Sequence, residues 1–503
     1  MKFSYAQLMS NDPDYLSCKK QECKKYKKNG ECQIKTCSGS LVFHVVNIRT
    51  DIEFVFFGGG FATPCIFSRS NPLNFANANQ PLYGHLSSSD SSGTSMRLTW
   101  VSGDKEPQQV RYGDGKSEIS QVTTFTQKDM SGLQTSPARD FGWHDPGYIH
   151  TAVMTGLQPA STNFYKYGSD SVGWSDEIQF KTPPAGGLLD QELKFVAFGD
   201  MGKAPRDASA EHYIQPGSPS VIKAITDEVN NGSVDSIFHI GDVSYATGFL
   251  VEWDFFLHQI NPVASRVSYM AAIGNHERDY IGSAGSLYTN FDSGGECGVP
   301  YETYFKMPTP EKDKPWYSIE QAGVHFTVIS TEHNWSKNSE QYEWMKNDMA
   351  LIDRSKTPWL IFTGHRPMYS TGIGISNVDK NFVDVVEPLL LENKVDLALF
   401  GHVHNYERSC SVYESHCFSM PEKNENGIDT YDHSNYSAPV QVVIGMAGFT
   451  LDKFSLAEKW SLVRISEFGY LRAHATAQEL KLEFVASDTR EVKDSFRITK
   501  KTK

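Results

Sequence analysis

Five apolar runs in the second half of the chain end in glycine followed at once by a residue able to hold a metal ion. They are KFVAFGD, SIFHIGD, YMAAIGN, WLIFTGH and LALFGH, ending at Asp200, Asp242, Asn275, His365 and His402. A buried strand gives a rigid base, glycine lets the backbone turn sharply, and the next side chain projects from the strand's carboxyl end, where open α/β sheets bind ligands. A single Gly-Asp after a strand is ordinarily only a turn. Five such junctions, closed only by Asp, Asn and His, point to one constructed site. Tyr245, three residues beyond Asp242, and His404, two beyond His402, extend the set to seven. With one carboxylate bridging, these oxygen and imidazole donors divide into two sites, the arrangement that two-metal hydrolysis requires. His276, directly after Asn275, is the candidate to hydrogen-bond a phosphate or protonate a leaving oxygen, with orientation of the Asn275 loop as its structural alternative. Arg366 and Arg408 stand near ligands and read equally well as substrate contacts or as structure.

These residues must be carried by an α/β unit. From Leu193 onward, apolar strands alternate with helical stretches such as SVIKAITDEVNN and EQYEWMKNDMALID, and after about Met420 a polar insertion leads to VQVVIGMAG, GYLRAHATA and KLEFVAS. We expect a catalytic domain over 193–420 completed by 421–503. Before it, short β-type segments (MRLTWVS, QVRYG, HTAVMTGL, FYKYGS) predict a β-sandwich over 81–183, separated by the Pro- and Gly-rich linker KTPPAGGLLDQE. LVFHVVNI and IEFVFFGG predict strands of a smaller β module over 1–80, with Gly58 to Gly60 as a turn or bulge.

At 503 residues the chain is long enough for several cores, and 12% aromatic residues supply them. A formal charge of -13 argues against nucleic-acid binding through the general field, so a phosphate-bearing substrate must be attracted locally, as bound cations would do. The cysteines cluster as Cys18, Cys23, Cys32 and Cys37, then Cys410 and Cys417, with Cys65 and Cys297 apart. Disulfides are favoured over zinc binding because the first cluster lacks CxxC pairs and is interleaved with lysines. Acceptor sequons at Asn231, Asn334 and Asn435 agree with an oxidising, extracellular or cell-wall setting. Met1 to Asn11 lacks the apolar core of a secretion signal, so we expect the leader to be missing from this sequence, and no apolar run is long enough to span a membrane. Lys19, Lys20, Lys24, Lys25, Lys27 and Lys28 read as a solvated loop rather than a polyanion-binding arm.

GDMG, GDVSY, GNHE, GHRP and GHVH, in this order, resemble the five blocks of the purple acid phosphatases within the metallophosphoesterase superfamily. TGLQPASTNFYKYG is similar to a strand-turn-strand passage of fibronectin type III domains, and the leading β unit resembles that of the larger plant members, including the diphosphonucleotide phosphatase/phosphodiesterase type. The resemblance implies β modules followed by a four-layer α/β/β/α metallophosphoesterase domain. It also implies that Asp200, Tyr245 and His404 hold Fe(III), that Asn275, His365 and His402 hold a divalent ion (zinc, manganese or ferrous iron), and that Asp242 bridges. The expected activity is hydrolysis of phosphate monoesters by metal-bound hydroxide. A phosphodiesterase or nucleotide pyrophosphatase on the same centre is the near alternative, and a surface or wall binding protein with a slow metal site the distant one. The expected partners are small phosphate esters or anhydrides, nucleotides among them. One departure stands out: where well-known plant members carry a histidine pair beyond the ligand equivalent to His365, Met368 to Ser376 reads MYSTGIGIS.

Overall fold

The computed structural model describes residues 42–58, 65–130, 136–207, 213–280, 292–373 and 378–500, with short strand pairs at 9–10, 27–28, 31–32 and 209–210. Cys18, Cys23, Cys37 and the lysines around them lie outside the described residues, as do Gly59 and Gly60, and only the backbone of Cys32, Lys27 and Lys28 is described.

Two large sheets face each other in the catalytic domain. In the first, Leu193–Phe198 (β1), Ser236–Ile240 (β2) and Ser268–Ala272 (β3) run parallel. In the second, Trp359–Gly364 (β4) and Leu397–Phe400 (β5) run parallel, and Val440–Ile444 (β6) extends the sheet beside β5. Successive strand residues point to opposite faces. Accordingly Ile361, Leu397 and Leu399 join the core between the sheets, whereas Leu360, Phe362, Ala398 and Phe400 pack outward. The outer layers are helices: Val221, Ile225 and Ile260 of Ser218–Asn230 and Glu252–Ala264 pack with the first sheet. Met345, Met349, Val386 and Leu390 of Glu340–Ala350 and Lys380–Glu392 cover the second. This is the expected four-layer α/β/β/α architecture.

The segment after Met420 is integral to the same sheets. Gly469–Ala475 pairs antiparallel with β1 itself, Glu479–Ala486 and Val492–Thr499 continue outward from it, and β6 lies beside β5.

Residues 82–181 form two antiparallel sheets around Trp100, Tyr165, Tyr167 and Phe180. The Tyr165 hydroxyl donates to the Ser265 carbonyl at 2.8 Å, tying the sandwich to the catalytic domain. Ahead of it, Val55–Gly58 and Cys65–Arg69 pair as an antiparallel hairpin. The strand expected in LVFHVVNI is not formed over Val42–Ile48. Its alternating residues Val46 and Ile48 are instead buried against Val251 of the catalytic domain, and Arg49 makes a two-pronged ion pair with Asp254 at 2.6 and 2.9 Å. The period-2 pattern there serves docking rather than pairing.

Candidate metal centre

All five glycine-ended runs form strands, and all five candidate donors emerge at carboxyl ends: Asp200, Asp242 and Asn275 after β1, β2 and β3, and His365 and His402 after β4 and β5. The two sheets therefore deliver ligands to one edge from opposite sides. The turns are tight enough to force unusual backbone. Asp200, Asp242, Tyr245 and His402 have φ of 62°, 49°, 53° and 68°, a region that costs non-glycine residues about 1–3 kcal/mol each and persists only where the surroundings impose it. Gly241 shows why the preceding residue lacks a side chain: its φ is 75°, and a Cβ there would run into the His365 ring. At Gly401 a Cβ would sit 2.7 Å from Asp200 Oδ2.

The donors fall into two contiguous groups. In one, Tyr245 Oη lies 3.0 Å from Asp200 Oδ1 and 3.1 Å from His404 Nε2, and His404 Nε2 lies 3.5 Å from Asp200 Oδ1. In the other, His365 Nε2 lies 3.1 Å from Asn275 Oδ1, 3.2 Å from His402 Nδ1 and 3.2 Å from Asp242 Oδ2. His365 Nε2 is also 4.0 Å from Asp200 Oδ1, so the groups share a boundary. The His365 Nδ1–H donates to the Ile240 carbonyl at 3.0 Å, which aims Nε2 inward. All seven expected ligands thus converge, and Asp242, His365 and His402 lie close enough together for a shared cation.

The electrostatics call for positive charge. Burial alone lowers the tendency of His365 to protonate, yet the Asp242 and Asp200 carboxylates raise its pKa to about 10. Burial pushes Asp200 up, and the charge of Asp242 adds to this against the opposing pull of His365 and His404. Burial also pushes Asp242 up, but His365 and His276 outweigh it and hold the group well below the usual carboxylate range. The Tyr245 phenol is driven well above 10 by burial and by the same two carboxylates. A phenolate there needs a strongly Lewis-acidic cation beside it. The donor set fits two metal ions, one of them hard.

The sequence reading overlooked the residues that orient these donors. Glu277, fully buried, accepts the Val243 N–H at 2.7 Å and the Gly274 N–H at 3.0 Å, strapping together the loops that carry Asp242 and Asn275. Burial and the nearby Asp242 charge raise its pKa to about 8. It completes the GNHE run, which was its only signal in the sequence. Glu332 holds Arg366 through Nε at 2.7 Å, and Arg366 Nη1 reaches His402 Nε2 at 3.1 Å. Asp452 accepts the His404 N–H at 3.0 Å, and Phe449 stacks on Tyr245 with centroids 4.9 Å apart. Glu332, Asp452 and Phe449 had no motif to mark them. Arg408 is structural: it is buried between Asp494, at 2.7 Å, and Asp429, at 2.8 Å. His276 stands at the mouth, with Nδ1 3.0 Å from the Asp292 carbonyl and Nε2 3.8 Å from Asp242 Oδ2.

Cys410 and Cys417 form a disulfide across the hairpin that follows the two C-terminal histidines. Asn231, Asn334 and Asn435 are exposed. Among the described residues, no helix is long and apolar enough to cross a membrane.

Family models match nearly the whole chain. An Fn3-like domain from purple acid phosphatase covers 1–77, a purple acid phosphatase N-terminal domain 81–182, a calcineurin-like phosphoesterase 193–406, and an iron/zinc purple acid phosphatase-like C-terminal region 438–495. The Fn3-like description thus falls on the leading module, and the sandwich carries the N-terminal-domain description. A structure of purple acid phosphatase PPD1 from yellow lupin (Lupinus luteus) superposes with a TM-score of 0.81 at 37% identity, covering 91% of this chain and 81% of that one. An Arabidopsis thaliana protein named probable inactive purple acid phosphatase 27 is 38% identical over 94% of this chain and 78% of its own length. A Hordeum vulgare nucleotide pyrophosphatase/phosphodiesterase is 35% identical over 65% of this chain and 88% of its own. With its two facing sheets, its converging donors and these relatives, the chain belongs to the purple acid phosphatase family of metallophosphoesterases, a family that implies a binuclear centre of iron and a second metal.

Proposed function

We propose that this chain is a working hydrolase of phosphate monoesters, of acid-phosphatase type, with one ferric and one divalent ion as its cofactors. The observation that carries the proposal is the complete donor set: all seven positions hold residues able to ligate, and their donor atoms converge. Asp200, Tyr245 and His404 would hold the ferric ion, Asn275, His365 and His402 a divalent ion (zinc, manganese or ferrous iron), and Asp242 would lie between them. When bound, the pair supplies Lewis acidity to the phosphoryl oxygens and to the attacking water. The chain's own part is positioning and proton movement. Donation from Nδ1 to the Asp292 carbonyl leaves His276 Nε2 facing the site, where it accepts a proton as a neutral imidazole and, once protonated, donates to a phosphoryl or leaving oxygen. The exposed sequons and the Cys410–Cys417 disulfide support action in an oxidising extracellular or cell-wall compartment.

A second reading, hydrolysis of phosphodiesters or nucleotide pyrophosphates, is favoured by the name of the Hordeum vulgare relative, and its pyrophosphate form also by the absence of histidine from Met368 to Ser376. With fewer proton donors, leaving groups that depart unaided should dominate. The Arabidopsis relatives named inactive favour instead a binding protein with a slow centre. Metal analysis of purified protein, followed by turnover of aryl phosphate, nucleotide diphosphate, diester and sugar phosphate, separates these readings. Hydrolysis of aryl monoesters well above that of diesters supports the first reading, the reverse supports the second, and full metal occupancy without turnover supports the binding protein.

A further inference from the structure

Among the described residues, the side chains of the centre are unequally buried. Asp200, Asp242, Tyr245 and His365 are fully buried, whereas His276, His402 and His404 are partly exposed. Along the exposed side stands an aromatic ring that no ligand role explains. Tyr213 is partly exposed, 5.8 Å from the Tyr245 ring, 6.1 Å from His276 and 5.2 Å, edge on, from Phe449, which in turn lies 4.5 Å from His404. Tyr213 and Phe449 thus form a wall spanning the mouth from His276 to His404.

The ring is held in place by its backbone. Lys203 and Gln215 bond reciprocally, Lys203 N–H to Gln215 Oε1 at 2.8 Å and Gln215 N–H to the Lys203 carbonyl at 3.0 Å. The Lys203 ammonium, buried against Glu252, also reaches the Tyr213 carbonyl at 3.4 Å. Gly217 N–H then donates to the Gly448 carbonyl at 2.9 Å, fixing the end of this loop to the residue before Phe449. A surface tyrosine whose loop is anchored at both ends, with ring contacts to one donor and to His276, is built to meet what enters the mouth.

We propose that Tyr213 is a specificity-determining residue, the platform on which the planar aromatic part of the leaving group, a nucleobase or an aryl ring, stacks while the phosphate occupies the centre. The inference rests on the phosphoesterase reading and adds the leaving-group class to it. Stacking needs only a π-face, and its loss on alanine substitution corresponds to roughly a 5- to 150-fold loss of affinity. It also complements the short supply of proton donors, since aryl oxygens and nucleotide phosphoanhydrides leave with low pKa.

The test is equilibrium binding of phenylphosphonate, the adenosine monophosphate analogue in which a methylene replaces the ester oxygen, and inorganic phosphate, none of which has an ester bond to hydrolyse, to the metal-loaded full chain and to its Tyr213→Ala and Tyr213→Phe variants. Tyr213→Ala should weaken the two aromatic ligands about tenfold relative to phosphate, and Tyr213→Phe should retain them. A larger loss for the adenosine analogue assigns the platform to a nucleobase, and a loss confined to phenylphosphonate assigns it to an aryl group. The proposal is overturned if Tyr213→Ala weakens phosphate equally, if all affinities stay unchanged, or if Tyr213→Phe fails as Tyr213→Ala does, which would place the function in the hydroxyl. Binding requires no turnover, so a wild-type protein that binds with this discrimination yet does not hydrolyse refutes the hydrolase reading and leaves the platform standing.

Discussion

The two halves of the centre are built from different materials. The half made of Asp200, Tyr245 and His404 contains a phenol, is walled by Phe449, and has its histidine fixed through the backbone N–H to Asp452. The half made of Asn275, His365 and His402 contains a neutral amide and two imidazoles, fixed by the Ile240 carbonyl and by the Arg366–Glu332 pair. Anionic oxygen donors suit a hard, highly charged ion, and an amide with imidazoles suits a divalent one. The asymmetry lies in the chain itself, so substitutions should separate the halves.

The largest effect is expected where the halves meet. Asp242→Asn removes the charge proposed to lie between them, and both metals should be lost together, with hydrolysis falling by more than the roughly 100-fold that loss of an outer partner costs. Tyr245→Phe should act on one half alone: the visible absorption of the iron-loaded protein should disappear while the ring keeps its stacking on Phe449 and the divalent ion is retained, as spectroscopy and metal content would show. Glu277→Gln should lower the affinity for both metals by about 10- to 100-fold, since its carboxylate straps loops belonging to each half. Arg366→Ala should loosen only the second half, by about tenfold in divalent-ion affinity, leaving the visible band in place. The smallest effect is assigned to Cys410→Ser with Cys417→Ser. So short a ring contributes at most roughly 2–3 kcal/mol, and thermal unfolding should shift modestly with the spectrum unchanged.

Much of this was legible in the sequence because strand ends and ligand types coincide. Where an apolar strand, a glycine and a donor follow one another, as at Phe198-Gly199-Asp200, local pattern and site position are the same fact. The orienting shell was not legible, because its partners are brought together by sheet packing: Glu332 and Arg366 lie on neighbouring loops, and Phe449 is far in sequence from the Tyr245 it stacks on. Val42 to Ile48 misled for the converse reason. Alternation announces a face to be buried, but not whether a neighbouring strand or another domain buries the other side.

The direct test of the central account is to load purified protein with iron and a divalent metal, count both ions per chain, and follow aryl phosphate turnover and visible absorption for the wild type beside Tyr245→Phe. The account predicts one iron and one divalent ion per chain, measurable hydrolysis, and a visible band present only with the Tyr245 hydroxyl. An identical band in both proteins, or full occupancy by both metals with no hydrolysis, would contradict it.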